Sequence, residues 1–270
     1  MKSDEIRCIL AIAGTDPTGG AGIQADMKSI SATGGYCASV ITALVAQNTQ
    51  GVQSVLSIDP LFVKKQLISV LDDLTISAVK IGMLDDENII SVVFDTLRAA
   101  HIKQVVLDPV MVAKCGTPLL NPSVVASLKD KAAGVITLLT PNLYEARYLA
   151  GCSIESKEDM EKAAVYLAEE FQCSVLLKGG HLEGILSEDV LYDPASGTYA
   201  WFSQKRINTQ NTHGTGCTLS SAIASYLGQG YPLTLAIETA KEYLTKAIER
   251  GASLSIGKGC GPVDHFFNIR

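Results

Sequence analysis

Asn211-Thr212-His213-Gly214-Thr215-Gly216-Cys217 runs directly into the apolar segment 219–227. Two glycines one residue apart, followed by Leu219, Ile223, Ala224 and Leu227, predict a tight loop that opens a buried helix. The amide N–H groups of a helix's first turn lack intrahelical partners and sit at the positive end of the helix dipole. Glycines let such a backbone curl closely around an anion, so this stretch is a candidate phosphate or oxyanion cradle. Cys217 falls in that first turn, where a thiolate is favoured.

Outward from this motif, short apolar runs alternate with helical patterns along the whole chain. Residues 8–13, 40–45, 79–81, 105–107, 134–139 and 175–177 read as strands buried on both faces. Between them, residues 22–33, 61–74, 87–100, 123–133 and 157–171 show helical periodicity. That alternation predicts a mostly parallel sheet sandwiched between helices. Residues 188–202, with Asp193-Pro194-Ala195-Ser196-Gly197 at their centre, predict an antiparallel hairpin. Two helices close the chain, at 218–227 and 233–250, split by Gly228-Gln229-Gly230-Tyr231-Pro232. No internal repeat, low-complexity tract or Pro/Ser-rich linker divides residues 1–270, and one α/β domain is the expectation.

Composition narrows the function classes. Apolar residues make up 47% of the 270 and charged residues 19%, an ordinary soluble balance. A net charge of −6 argues against broad nucleic-acid binding, which needs a basic face. Small phosphorylated ligands stay open, because local fields hold them. No apolar run approaches the ~20 residues that span a bilayer, so no membrane partner is expected. Met1-Lys2-Ser3-Asp4-Glu5 is acidic and leads into a short apolar run, wrongly flanked for a secretory signal. Seven cysteines without a CxxC predict reduced thiols in a cytoplasmic protein.

In open α/β sheets the ligand site lies past the carboxyl ends of the strands. Polar groups stand at those ends: Asp108 after 105–107, Asn142 and Glu145 after 134–139, and Lys178-Gly179-Gly180-His181 after 175–177. Gly14-Thr15-Asp16-Pro17-Thr18-Gly19-Gly20 follows the first strand. This glycine-rich turn is not a P-loop, because Gly20 and Ala21 stand where Lys and Ser/Thr are required. It is either a turn that needs positive φ or part of a ligand loop. Asp26, in the following helix, is either a solvated charge or an acceptor for a polar ligand.

Asn142 followed three residues later by Glu145 has the spacing of a capping box. The same pair can hold a hydrated Mg²⁺, which takes a few oxygen ligands plus water. Asp108 reads as a turn acid or a site carboxylate, and Lys178 as a surface lysine or a phosphate partner. His213 reads equally as a structural histidine or a ligand. His101, His181 and His265 show no metal spacing, so no zinc site is expected. Cys217 stays open between an inert thiol, a nucleophile and a base.

Together these residues resemble the ribokinase-like superfamily, and within it the hydroxymethylpyrimidine/phosphomethylpyrimidine kinases of thiamine biosynthesis. The resemblance covers essentially the whole chain. It rests on residues 13–26, Ala46-Gln47-Asn48-Thr49, Lys80-Ile81-Gly82-Met83-Leu84, Asp108-Pro109-Val110-Met111, residues 140–146, Leu177-Lys178-Gly179-Gly180-His181 and the opening motif. It implies a three-layer α/β/α sandwich with a small antiparallel edge. It also implies ATP-dependent phosphorylation of an aminopyrimidine hydroxymethyl group and then of the monophosphate, most simply by a homodimer. By similarity, Asp26 and Gln47 bond the aminopyrimidine ring, while Gly14, Met83 and Val110 wall its pocket. Asp108 and Glu145 organise Mg²⁺, Asn142 and Lys178 contact ATP phosphates, and Thr212, Gly214 and Gly216 shape the anion hole. Most ribokinase-like enzymes carry an aspartate base where Cys217 stands, and this branch resembles the present chain in using cysteine. A thiolate poised near neutral pH suits the loss of the hydroxyl proton.

Two segments depart from the family pattern. Lys114-Cys115-Gly116-Thr117 stands where serine and then an acidic residue are usual in a closing loop, and residues 261–266 vary the usual ending. The rival readings are a pyridoxal or pyridoxine kinase of the same superfamily, a vitamin or nucleotide sensor without catalysis, and a cysteine-dependent hydrolase or acyltransferase.

Overall fold

The computed structural model of the protein describes residues 6–111, 122–180 and 184–269. The loop 114–117, His181 and residues 1–5, all read above, lie outside the described residues. In chain order the strands are β1 (Cys8–Ala13), β2 (Tyr36–Ile41), β3 (Ala43–Asn48), β4 (Gly51–Ser57) and β5 (Ile76–Ile81). They continue with β6 (Val105–Leu107), β7 (Leu138–Leu139), β8 (Ser174–Lys178), β9 (Leu186–Asp193) and β10 (Thr198–Lys205). The helices are α1 (Gly22–Ala32), α2 (Pro60–Leu71), α3 (Glu87–Ala99), α4 (Pro122–Ala132), α5 (Leu143–Ala150), α6 (Lys157–Phe171), α7 (Thr215–Gly228) and α8 (Leu233–Gly251).

One sheet runs β10-β9-β8-β7-β6-β5-β1-β2, while β3 and β4 form a separate antiparallel pair. Pairing is parallel from β8 through β2 and antiparallel at β8–β9 and β9–β10, as the hairpin reading requires. The period-two alternation of a strand sorts its side chains into two layers. Leu10, Ile12, Val79, Ile81, Leu107 and Leu139 face α2–α6. Ile9, Ala11, Ala78, Val106, Leu138 and Leu176 face α1, α7 and α8. The expected three-layer sandwich with an antiparallel edge is therefore present. Among the described residues no helix is long and apolar enough to cross a membrane.

Local chemistry starts the outer-layer helices. Asp59 caps α2 with Pro60 at its first position, Asp86 caps α3, and capping boxes open α5 and α6. Two strand readings change. The run at 40–45 is two strands in two sheets, split at Thr42, whose amide donates to the Ala13 carbonyl and whose hydroxyl donates to that of Met83. The run at 134–139 shrinks to Leu138–Leu139, because the amides of Val135 and Ile136 bond back to Ala132 as a continuation of the α4 turn. β4 escaped the apolar search because most of its side chains face outward.

One polar element interrupts the inner core. Lys80 replaces an apolar residue at an inward position of β5 and is fully buried. Its ammonium donates to both oxygens of Asp26, at 2.7 and 2.8 Å, and Ser221 of α7 donates to the same carboxylate at 2.7 Å. Burial pushes the Asp26 carboxyl up, against the pull of Lys80 and Ser221. The Lys80 ammonium, which burial alone would lower, is raised by Asp26. Three short donor contacts on one carboxylate keep the pair ionised.

Lys80→Met is expected to lose about 3–5 kcal/mol, because it strands a buried carboxylate. The paired replacement Lys80→Met with Asp26→Leu should recover most of that loss. Urea unfolding of the two variants checks this, and equal losses would contradict it.

Candidate active site

The carboxyl ends of β6, β7 and β8 deliver three charged groups to one place. Asp108 directly follows β6, is buried, and accepts from Lys178 at 2.8 Å, from Thr140 at 3.2 Å and from Ser220 of α7 at 3.4 Å. Burial would raise the Asp108 carboxyl, but the charges of Lys178 and Lys80 hold it below the usual carboxylate range. Burial would lower the Lys178 ammonium, and the charges of Asp108 and Glu145 raise it instead. Glu145 is buried beside this pair and is pushed up to about 7 by burial, with Asp108 adding and Lys178 opposing.

The fourth element is the amino end of α7. Gly214 adopts φ +79° as its N-cap, and no side chain caps the helix. A Cβ at Gly214 would lie 1.8 Å from the carbonyl oxygen of Gly20, so only glycine allows this approach. A Cβ at Gly216 would sit 3.4 Å from an Asp108 oxygen and 3.5 Å from the Lys178 nitrogen. The first-turn amides of α7 and the Asp108–Lys178 pair thus share one opening, the arrangement of an anion site.

The loop after β1 plays a different part. Its amides at Thr18, Gly20 and Ala21 donate to the buried Asp16 carboxylate. Burial would raise that carboxyl, but bonds from His213, Thr18 and Ala21 hold it well below the usual range. The nest in this loop is therefore filled by the protein's own carboxylate.

Beside the anion site is an apolar wall. Gly14 lies against Ala43 and the end of the Met83 side chain, and Val110 packs on the same small cluster. Gln47 is half-buried and shares the inward side of β3 with Ala43 and Val45. Thr15 ties the loop after β1 to β3: its hydroxyl accepts from the Val45 amide, and its own amide donates to the Ala43 carbonyl.

Other expected roles change. Asp26 has no exposed atom, and its carboxylate is taken up by Lys80 and Ser221. The side chain of Asn142 is occupied as the α5 cap, accepting from the Glu145 amide, while Glu145 accepts from the Asn142 amide. Thr212 has its hydroxyl 3.6 Å from the sulfur of Cys260. Cys217 is partly exposed, yet its thiol is pushed up to about 11, not down towards neutrality. Burial of the sulfur is the largest cause; Lys80 and the Gly22 backbone lower the value, while Asp26 and Asp108 raise it.

Lys80, Ser220 and the Asp16–His213 contact were not singled out from the sequence for these roles. Lys80 had a usable signal, because a lysine inside a strand buried on both faces must find a partner. A groove of about 540 Å³ lined by Ile68, Leu74, Ile76 and Ile102 lies at the opposite end of β5 and has no part in this cluster.

Residues 16–264 match the family described as phosphomethylpyrimidine kinase. The chain belongs to that family. It is 48% identical over 259 residues to the hydroxymethylpyrimidine/phosphomethylpyrimidine kinase of Salmonella typhimurium, covering 95% of this chain and 96% of that one. It is 46% identical over 257 residues to a thiamine biosynthesis bifunctional protein of Geobacter sulfurreducens, covering 95% of this chain. This chain spans about half (52%) of that relative's length. Among solved structures, a Bacillus subtilis pyridoxal kinase in an ADP complex superposes with a TM-score of 0.89 at 35% identity, covering 97% of this chain and 98% of that one. The fold of this phosphomethylpyrimidine kinase family member is ribokinase-like.

Glu145 yields a pH test. Its folded value of about 7 lies above the ordinary 4.5, so the folded state binds the extra proton and loses stability as pH rises between those values. Glu145→Gln keeps an acceptor for the capping box and removes the titration. In metal-free protein it should gain on the order of 1–3 kcal/mol over the parent above pH 7, fading towards pH 4.5. Urea unfolding at pH 5 and pH 8 measures this, and a pH-independent difference would contradict it.

Proposed function

We propose that this chain transfers the γ-phosphoryl group of ATP to 4-amino-5-hydroxymethyl-2-methylpyrimidine, and then phosphorylates the resulting monophosphate to the diphosphate. One observation carries the reading: an uncapped helix start, faced by Asp108 and Lys178, opens beside the apolar wall of Gly14, Met83 and Val110, with Cys217 in that first turn. Phosphoryl transfer asks the protein mainly for positioning and charge stabilisation, and this arrangement offers both. Gly214, Gly216 and the α7 amides cradle the moving phosphoryl group, and Lys178 balances its charge. Met83 and Val110 clasp the ring, and Gln47 reads its polar edge. Thr212 and Asn142 border the nucleotide.

Mg²⁺ fits the chemistry of the donor set. Asp108 and Glu145 are two buried carboxyl groups close together, a hard oxygen donor pair of the kind Mg²⁺ takes. Among the described residues no three acidic, histidine or cysteine side chains gather as a cage. Mg²⁺ of this kind relies on one or two carboxylates, with phosphate oxygens and water completing its shell, and supplies charge neutralisation.

Cys217 is the acceptor of the hydroxyl proton. Its thiol rests protonated, pushed up to about 11 by burial, so its own proton must first leave to solvent. The thiolate then takes the hydroxyl proton as the hydroxyl oxygen bonds to phosphorus and the bond to the leaving ADP breaks. Cys217→Ala should lower kcat about 10²–10⁴-fold with nucleotide affinity nearly unchanged, and Cys217→Asp should retain more activity than Cys217→Ala. Near-normal turnover of Cys217→Ala would remove the assignment.

The whole chain acts as one kinase unit, supported by its continuous sheet order. A cytoplasmic location agrees with the six free cysteines among the described residues. A homodimer would cover the exposed Leu44, Val55 and Leu56 on the β3–β4 pair. The likeness to a pyridoxal kinase keeps pyridoxal as the rival acceptor.

Side-by-side turnover of the hydroxymethylpyrimidine, its monophosphate and pyridoxal with ATP tests the function. The two pyrimidines should be preferred; preference for pyridoxal would select the rival. Absence of any ADP production would leave a sensor, and a covalent adduct on Cys217 by intact mass would indicate the hydrolase class.

A further inference from the structure

The motif that opens α7 is joined to the loop after β1 by a contact that the reaction does not require. Asp16 is fully buried. One of its oxygens accepts from the Thr18 amide at 2.9 Å and the Thr18 hydroxyl at 2.7 Å. The other accepts from the amides of Gly20 at 3.1 Å and Ala21 at 2.8 Å. Its own loop therefore satisfies both oxygens. A further contact comes from outside the loop, 197 residues away, where His213 Nε2 lies 2.8 Å from Asp16 Oδ2. Asp16 does not need His213, but His213 is fixed by Asp16.

The imidazole is held from other directions as well. The His213 amide donates to the Gly261 carbonyl at 3.0 Å, and the segment bridges to Pro262. A Cβ on Gly20 would lie 2.6 Å from His213 Cδ2 and 3.2 Å from the Pro262 side chain, so the ring seats against bare backbone. His213 immediately precedes Gly214, the cap of the uncapped helix. The loop that grips it also carries Gly14 of the apolar wall, whose carbonyl accepts from the Ile23 amide at 2.9 Å at the start of α1.

We infer that His213, gripped by Asp16 and seated on Gly20, is a positioning residue that fixes the α7 phosphate cradle relative to the acceptor wall. This rests on the kinase reading above. The contact sets the distance between the hydroxyl to be phosphorylated and the amides that hold the phosphoryl group. An error of about 1 Å in that distance can lower turnover on the order of 100-fold.

Three variants test it. His213→Ala removes the grip, His213→Gln restores a nitrogen donor towards Asp16, and Gly20→Ala keeps every hydrogen-bonding group while displacing the ring. The expected result is a kcat loss of about 10- to 100-fold in His213→Ala and Gly20→Ala, with KM for ATP and pyrimidine within about threefold and recovery in His213→Gln. Hydrogen exchange of the amides at 212–218 should accelerate in the two impaired variants and stay at the parent level in His213→Gln. Parent-level kcat in His213→Ala and Gly20→Ala would overturn the inference. So would a loss confined to KM with unchanged exchange, which would make His213 a direct ligand contact. If the parent phosphorylates none of the acceptors, the kinase reading fails separately, and the exchange rates alone decide whether His213 fixes the helix start; unchanged exchange overturns it.

Discussion

The ion pair of Lys80 and Asp26 is the constraint around which the inner half of the molecule is arranged. It joins the central strand β5 to α1, and the Ser221 bond adds α7. All three groups are buried, so none can exchange its partner for water. Replacing such a pair with well-packed apolar residues is often neutral or stabilising. Stability alone therefore does not account for a lysine here. Its ammonium also acts on Asp108 and Cys217, lowering the carboxyl of the first and the thiol of the second. The Asp26 charge opposes it at Cys217, so the pair places a dipole, not a lone charge, under the helix start.

The two glycine-rich loops divide the work. The loop after β1 turns its amides inward onto Asp16, which makes it a rigid support for the acceptor wall. The α7 start has no side-chain cap and directs its first turn towards Asp108 and Lys178. Gly20 and Gly214 touch where the two loops cross, and neither contact tolerates a side chain. From the sequence the α7 start was the anion candidate, and the loop after β1 was either a simple turn or part of a ligand loop. The difference lies in one buried carboxylate, and only the folded loop reveals which amides it occupies.

Much of the architecture was legible because parallel strands buried on both faces leave short, dense apolar runs. β1 and β6 match their predicted spans, and α6 does as well. The hairpin of β9 and β10 was legible through its Asp-Pro-Ala-Ser-Gly turn. The split at Thr42 was not, because a buried threonine between apolar neighbours leaves no break in the pattern. Within the site, Asp108, Glu145, Lys178 and Gly216 converge as strand-end logic implies. The burial and partners of Asp26 and the ionisation of Cys217 were not legible, for one physical reason. Charge state and reach depend on burial and on distant partners, here Lys80 and Asp108, which spacing along a chain does not encode.

The central claim is spatial: phosphoryl transfer takes place at the start of α7, between the Asp108–Lys178 pair and the wall of Gly14 and Met83. A crystal structure of the protein with a non-hydrolysable ATP analogue and the hydroxymethylpyrimidine tests it most directly. The account predicts the terminal phosphate on the amides of Gly216 and Cys217, with the hydroxymethyl oxygen facing the Cys217 sulfur. A terminal phosphate seated on the loop after β1, or a pyrimidine bound away from Met83 and Val110, would contradict it.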